Sequence, residues 1–310
     1  MLKAQGLKSP IKLSKTNLDA KAIAILVMLC ASWGLQQIAV KVANTGISPV
    51  LQGGLRSIGA SLLLLIWMRW QKEAIFDRDD SLFWGIAAGL LFSFEFILVY
   101  LGLSYTPASR AVIFLYTSPF FVALGAQLFI PHEKISLWQL FGLICAFLGI
   151  ITAFSEGFLG HVGRSVLLGD SLMLTAALLW GSTTVLIKAS PLAKIRPSKT
   201  LLYQLLTSAI ILPLASVTLQ EKGISHLSPM VFLSMLYQTL WVAFITFLIW
   251  FWLIRHYPAS KISAFTFLTP LFGVVFGALL LSERLSLRLS LALVLVALGI
   301  YLVNRKKISS

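Results

Sequence analysis

Residues 105–119 read YTPASRAVIFLYTSP, and residues 257–270 read YPASKISAFTFLTP. Pro107-Ala-Ser-Arg110 matches Pro258-Ala-Ser-Lys261, and Pro119 and Pro270 each follow twelve residues after the first proline. The match extends outward. Glu133-Lys-Ile-Ser136 is echoed by Glu283-Arg-Leu-Ser286, and each glutamate is followed sixteen residues on by a glycine, Gly149 or Gly299. Upstream, Trp33-Gly34 precedes Lys41 and Trp180-Gly181 precedes Lys188, with eight residues from tryptophan to lysine in both. The chain is therefore a duplication offset by about 147–151 residues, and repeats of this kind decide the architecture before any local reading does.

Long apolar runs lie between these landmarks. Of the 310 residues, 58% are hydrophobic and 12% charged, and the mean hydropathy is +0.90. A soluble domain has about 45–50% apolar and roughly 25% charged residues, so the excess belongs in a bilayer. The runs predict ten helices, at 22–43, 48–70, 81–104, 107–130, 136–155, 167–190, 199–219, 229–254, 258–281 and 286–304, parted by prolines, glycines and charged knots. At about 20 residues each, ten spans leave only tails and short loops. The runs are continuously apolar and not alternating, which excludes a β-barrel. The fold class is an all-α polytopic membrane protein, with one repeat over 22–155, a second over 167–304 and a basic tail over 1–21.

Five helices per repeat is an odd number, so the halves must run in opposite directions across the membrane. Such inverted repeats are associated with alternating access around a midplane site, although channels and intramembrane enzymes can also be duplicated. With the N-terminus inside, eighteen Lys and Arg fall on inner segments and six on outer ends, which predicts both termini, and the 71–80 loop, in the cytoplasm. The formal charge of +14 is explained by that bias, and nucleic-acid binding is not expected. The first apolar run is too long for a signal peptide and reads as an uncleaved helix. Cys30 and Cys145 lie inside apolar segments without metal-ligand spacing, the four histidines fall in connections, and no HExxH, P-loop or GxSxG occurs. No metal or cofactor is expected.

The aromatic-Gly pair opening each half, the "YTPAS…P" running into the fourth helix and the closing "EKIS/ERLS…G" resemble the drug/metabolite transporter superfamily, of the EamA type. The likeness spans roughly 25–155 and 170–304. Each motif is loose; their order and repetition are specific. One departure is Phe129-Ile-Pro-His-Glu133, where the family usually has a glycine just before its glutamate. The resemblance implies ten helices, a bacterial inner membrane and export of amino acids or other metabolites. Family members share a fold more than a substrate. A multidrug efflux pump of broad specificity is the alternative. An intramembrane enzyme would need a catalytic cluster in the membrane, and none is found.

Glu95 stands in the middle of the third helix, in Phe-Ser-Phe-Glu-Phe-Ile-Leu. A charge at that depth costs about 2.5–3.5 kcal/mol on insertion scales and must face the bundle interior or a wet cavity. It reads as a partner for a substrate amine, as a proton site, or as one member of a buried ion pair. Arg56, in the second helix, is the obvious counter-charge: a structural mate of Glu95, or a planar fork for a substrate carboxylate. Trp33, Gln36 and Gln37 share a turn and a half of the first helix, and Trp180, Thr183 and Thr184 hold the matching place in the sixth. Gln52, Tyr116, Tyr203, Gln204, Gln238 and Trp241 complete the candidate set. Together they predict an aromatic and amide-lined cavity for a polar organic solute, set against ordinary interhelical hydrogen bonding. Lys41 and Lys188 read as cations complementing helix C-termini, and Gly85/Gly89 and Gly273/Gly277 as helix contacts. Pro119 and Pro270 interrupt helices at corresponding places and are the predicted hinges. The expected partners are a small-molecule substrate, protons if transport is coupled, and the lipid bilayer.

Overall fold

The structure is a computed structural model and describes residues 17–73, 79–131, 133–155, 163–281 and 287–305. Among these residues ten helices are long and apolar enough to cross a membrane. They are α1 (Ala20–Ala43), α2 (Pro49–Trp70), α3 (Leu82–Tyr105), α4 (Ala108–Phe129), α5 (Leu137–Phe154), α6 (Arg164–Ala189), α7 (Pro197–Thr218), α8 (Pro229–His256), α9 (Ala259–Leu280) and α10 (Leu287–Asn304). Local chemistry starts several of them. The Asp19 side chain accepts from Ala22 N at 2.9 Å, Ser136 and Gln139 form a capping box at α5, and prolines occupy the first turns of α2, α7 and α8.

The packing follows an inverted twofold. α1 lies on α9 as α6 lies on α4; α2 pairs with its counterpart α7, and α5 with α10. Tight backbone approach fixes both sides of the relation. A Cβ on Gly34 would stand 2.7 Å from Phe272 Cβ, and one on Gly181 would stand 2.6 Å from Phe121 Cβ. The α5–α10 seam repeats the device, because a Cβ on Gly299 would meet Gly142 O at 2.5 Å and one on Gly149 would meet Ala292 O at 2.9 Å. Small residues at helix crossings allow this approach in lipid, where no hydrophobic force drives helices together. Gly85 and Gly89 do the same for α3, against Tyr203 and Thr207 of α7.

Three spans differ from the continuous helices that the sequence predicts. α4 is two pieces, Ala108–Leu115 and Ser118–Phe129, and α9 passes through a 3-10 segment at Ala264–Phe267. Pro119 therefore sits in the first turn of a new helix, where its missing N–H costs little, and does not kink an unbroken one. α8 carries a π-helical stretch, Tyr237–Thr246, that no sequence signal announced. Pro213 lies inside α7, where Gly54 of α2 packs on its ring. α6 begins at Arg164 and α8 runs to His256, longer than predicted. Glu283, position 75 of the 71–80 loop and the tail over 1–16 lie outside the described residues.

Candidate functional site

α2 enters the membrane from a capped start, where the Glu221 carboxylate accepts from Val50 N and Leu51 N, both at 3.0 Å. Two turns later Arg56 is 1% exposed. Its guanidinium carbon lies 4.6 Å from the centre of the Phe96 ring and 6.0 Å from that of Phe247. Nε and Nη2 have no hydrogen-bond partner. The ionisable groups acting on it are Tyr100 and Glu95, yet no ion pair joins Arg56 to Glu95 among the described residues. The direct structural pairing that the sequence left open is not formed. Glu95 and Tyr100, on α3, are half-buried. Phe92, Phe96, Tyr100 and Phe247 form an aromatic wall beside Arg56, with ring centres 4.9–6.2 Å apart along the chain of contacts.

α1 and α8 close the next side. The Trp33 indole N–H donates to Thr246 Oγ1 at 2.9 Å, and its ring meets Phe247 and Trp250 edge-on at 6.3 and 5.3 Å. Trp241 donates to Ser32 Oγ at 3.0 Å and the Tyr237 hydroxyl donates to Ser32 O at 2.9 Å. All three α8 groups, Tyr237, Trp241 and Thr246, belong to the π stretch, whose wider turn sets which side chains reach α1. Trp33 and Trp241 thus belong to one polar seam between α1 and α8.

The remaining candidates separate. Trp180 meets Tyr116 at 5.9 Å on the α4–α6 side, and Thr183 and Thr184 spend their hydroxyls on carbonyls of their own helix. Gln36 is half-buried, while Gln37 is exposed and folds against Gly273 of α9. Gln52 donates to Asn44 Oδ1 at 2.9 Å. Gln204 and Gln238 are each 1% exposed; both polar atoms of Gln204, and Nε2 of Gln238, have no partner. Gln204 is the eighth residue of α7 as Arg56 is the eighth of α2, so the twofold places unanswered buried polar groups in both halves.

The two faces of the bundle are not equivalent. On the face that carries the start of α1, Lys188 does more than complement a helix C-terminus: its side chain is 8% exposed, 3.1 Å from Glu133 Oε1, and it also donates to Tyr257 O. Glu133 accepts the first backbone N–H of α9, from Ala259, at 2.9 Å. The Tyr257 hydroxyl donates to Asp19 at 3.0 Å and Lys261 to Asn17 at 2.7 Å. Nearby, burial tends to raise the Asp79 carboxyl, but hydrogen bonds from Lys199, at 2.9 Å, and from Ser81 overcome this and hold it below the usual carboxylate range. On the opposite face Arg110 grips Asp170, which also accepts from Thr106 at 2.7 Å. Ala108 and Lys41 are exposed, whereas their counterparts Ala259 and Lys188 are buried or nearly so.

A family model described as the EamA-like transporter family matches residues 20–155 and, a second time, residues 167–305. The chain belongs to the EamA-like transporter family. It is a multi-pass membrane transporter and not an enzyme. Two relatives of this EamA-like transporter cover nearly its whole length. "Uncharacterized transporter YoaV" of Bacillus subtilis is 27% identical over 91% of this chain and 96% of its own. A "Probable amino-acid metabolite efflux pump" of Salmonella typhimurium is 26% identical over 90% of this chain and 93% of its own. A crystal structure described only as that of a protein shares the fold, with a TM-score of 0.79 and 14% identity over 92% of this chain and 96% of the other. Sequence reasoning passed over Ser32, Thr246, Phe247 and Asp170. The Glu133–Lys188 contact was within its reach, because both residues are repeat landmarks.

Proposed function

We propose that this protein exports small metabolites, amino-acid-like solutes first, by alternating access across a bacterial plasma membrane, with both termini in the cytoplasm. The observation that carries this reading is the duplicated fold. One five-helix unit occurs twice in opposite orientations, with α1 on α9 as α6 is on α4. Exchanging the conformations of the two repeats would turn a midplane site to the other side, as inverted-repeat carriers do. The name of the Salmonella relative supports export and the solute class. Glu95, the half-buried carboxylate in the middle of α3, is the group proposed to couple transport to protons. Pro119 and Pro270 are proposed as the hinges, since each sits where its helix departs from α geometry.

The decisive test is reconstitution. Proteoliposomes loaded with a panel of radiolabelled amino acids should release at least one, faster with a proton gradient opposing the solute flow. Release that no gradient alters would leave a facilitative carrier. No movement of any solute in the panel would count against the amino-acid reading. Orientation is tested in a cysteine-free background, where a cysteine at Thr45 should label from outside cells and one at Lys72 should not.

A further inference from the structure

We infer that Arg56 is the anchor for a carboxylate group on the transported solute. The inference rests on the region around Arg56 and Glu95 being the transport site. It starts from a comparison among the buried cations. Arg110 meets Asp170, Lys188 meets Glu133, Lys199 meets Asp79 and Lys261 meets Asn17. Arg56, the most buried of them, has only the faces of Phe96 and Phe247. A guanidinium sealed from water without an oxygen partner is a strongly destabilising arrangement, and ring faces compensate only part of that cost.

The open atoms identify what would answer it. Nε and Nη2 form one edge of the guanidinium, and both point parallel N–H bonds the same way. Arg110 uses this same edge on Asp170, with Nε 3.2 and 3.1 Å from the two carboxylate oxygens and Nη2 on one of them. Within one protein, then, the edge that grips a carboxylate at Arg110 stands unfilled at Arg56. A planar two-oxygen acceptor fits such a fork better than a single hydroxyl or carbonyl does. The Phe96 ring, 4.6 Å from the guanidinium carbon, takes up neither Nε nor Nη2. Glu95 is adjacent in sequence to Phe96 and feels the charge of Arg56 without closing on it. With no ion pair between them, a solute would bring its carboxylate to Arg56 and, where it has one, its amine to Glu95.

The test uses binding, so that it stands apart from transport. Purified wild-type protein is titrated with three probes on each of two skeletons: phenylalanine, 3-phenylpropionate and phenethylamine; leucine, 4-methylpentanoate and 3-methylbutylamine. Ligand-induced shifts in melting temperature give the apparent affinities. The carboxylate-bearing probes of at least one skeleton should stabilise the protein, and its amine without a carboxylate should not. Arg56→Gln should weaken carboxylate binding by about 10- to 150-fold, the range for losing a charge-assisted hydrogen bond. Arg56→Lys keeps the charge and loses the fork; it should fall between the two and serves if the glutamine variant fails to fold. An amine binding as tightly as its amino acid, no carboxylate binding to wild type, or unchanged carboxylate affinity in the Arg56 variants would each overturn the inference. Carboxylate binding that depends on Arg56, in a protein that moves no solute in proteoliposomes, would uphold the anchor and refute the transport reading instead.

Discussion

Lys188 of α6 closes on Glu133, in the connection after α4, at 3.1 Å, and the same carboxylate receives the first N–H of α9. Three segments from both repeats therefore meet at one carboxyl group. Removing one member of a buried pair leaves an uncompensated charge and costs about 3–5 kcal/mol. That loss falls on the conformation in which the contact exists. Lys188→Met should lower the melting temperature and, in a cysteine-free background, expose a cysteine at Ala264, which is fully buried. Unchanged labelling at 264 would show that the contact is structural and does not hold a gate.

Gly34 and Gly181 offer a test of the twofold itself. Each would press a Cβ within 2.7 Å of a phenylalanine Cβ on the helix opposite. Overpacking of this kind costs about 1–3 kcal/mol, so Gly34→Val and Gly181→Val should lower stability by similar amounts. Gly223→Ala should behave differently. Its φ of +78° is left-handed and nothing lies within 4 Å, so only the backbone penalty of about 1–2 kcal/mol applies. Thermal melts of the three variants check both statements.

Much of this architecture was legible in the chain. The continuous apolar runs gave ten spans, and the PAS…P and EKIS/ERLS echoes gave the duplication, because membrane insertion and repeat packing act on residue type at fixed spacing. What stayed hidden depends on partners distant in sequence. The π stretch of α8 arises where Tyr237, Trp241 and Thr246 bond to residues about 205–213 positions away on α1. Likewise, no local pattern around Arg56 could say whether Glu95 touches it, since the answer depends on how α2 and α3 pack. Lys188 looked like an ordinary C-terminal cation until Glu133, 55 residues earlier in sequence, was brought beside it.

Pro119 opens the second piece of α4, and Pro270 lies just beyond the 3-10 segment of α9. Alanine at either place supplies an N–H that could extend the helix across the break. Pro119→Ala and Pro270→Ala, singly and together, should leave expression intact and slow solute release from proteoliposomes, most in the double variant. Transport unchanged in the double variant would remove the hinge role from both prolines.

Asp170 and Arg110 are each 5% exposed, and their bond ties α6 to α4. Asp170→Asn should cost about 3–5 kcal/mol by stranding the guanidinium. Arg110→Leu with Asp170→Leu should recover most of that loss, since apolar replacement of a whole buried pair is often neutral or better. Melting temperatures of the single and double variants form the cycle, and a double variant no better than Asp170→Asn would mean that the pair itself, and not its charge balance, holds α4.

Glu95→Gln is the contrasting case. Glu95 is half-buried, makes no ion pair with Arg56 among the described residues, and is flanked by Phe94 and Phe96. Glutamine keeps the shape and removes the charge. Without a bonded mate to strand, the change should shift the melting temperature far less than Asp170→Asn does. If Glu95 carries the coupling proton, release of solute should persist or fall while its response to an imposed pH gradient disappears. Arg56→Gln should instead weaken solute binding, so the two variants separate coupling from recognition. The double variant adds the last check: were Glu95 and Arg56 a structural pair in the membrane, removing both charges would restore stability and transport together. A Glu95→Gln protein that melts as early as Asp170→Asn and is rescued by Arg56→Gln would establish pairing, and would rule out a coupling role for Glu95.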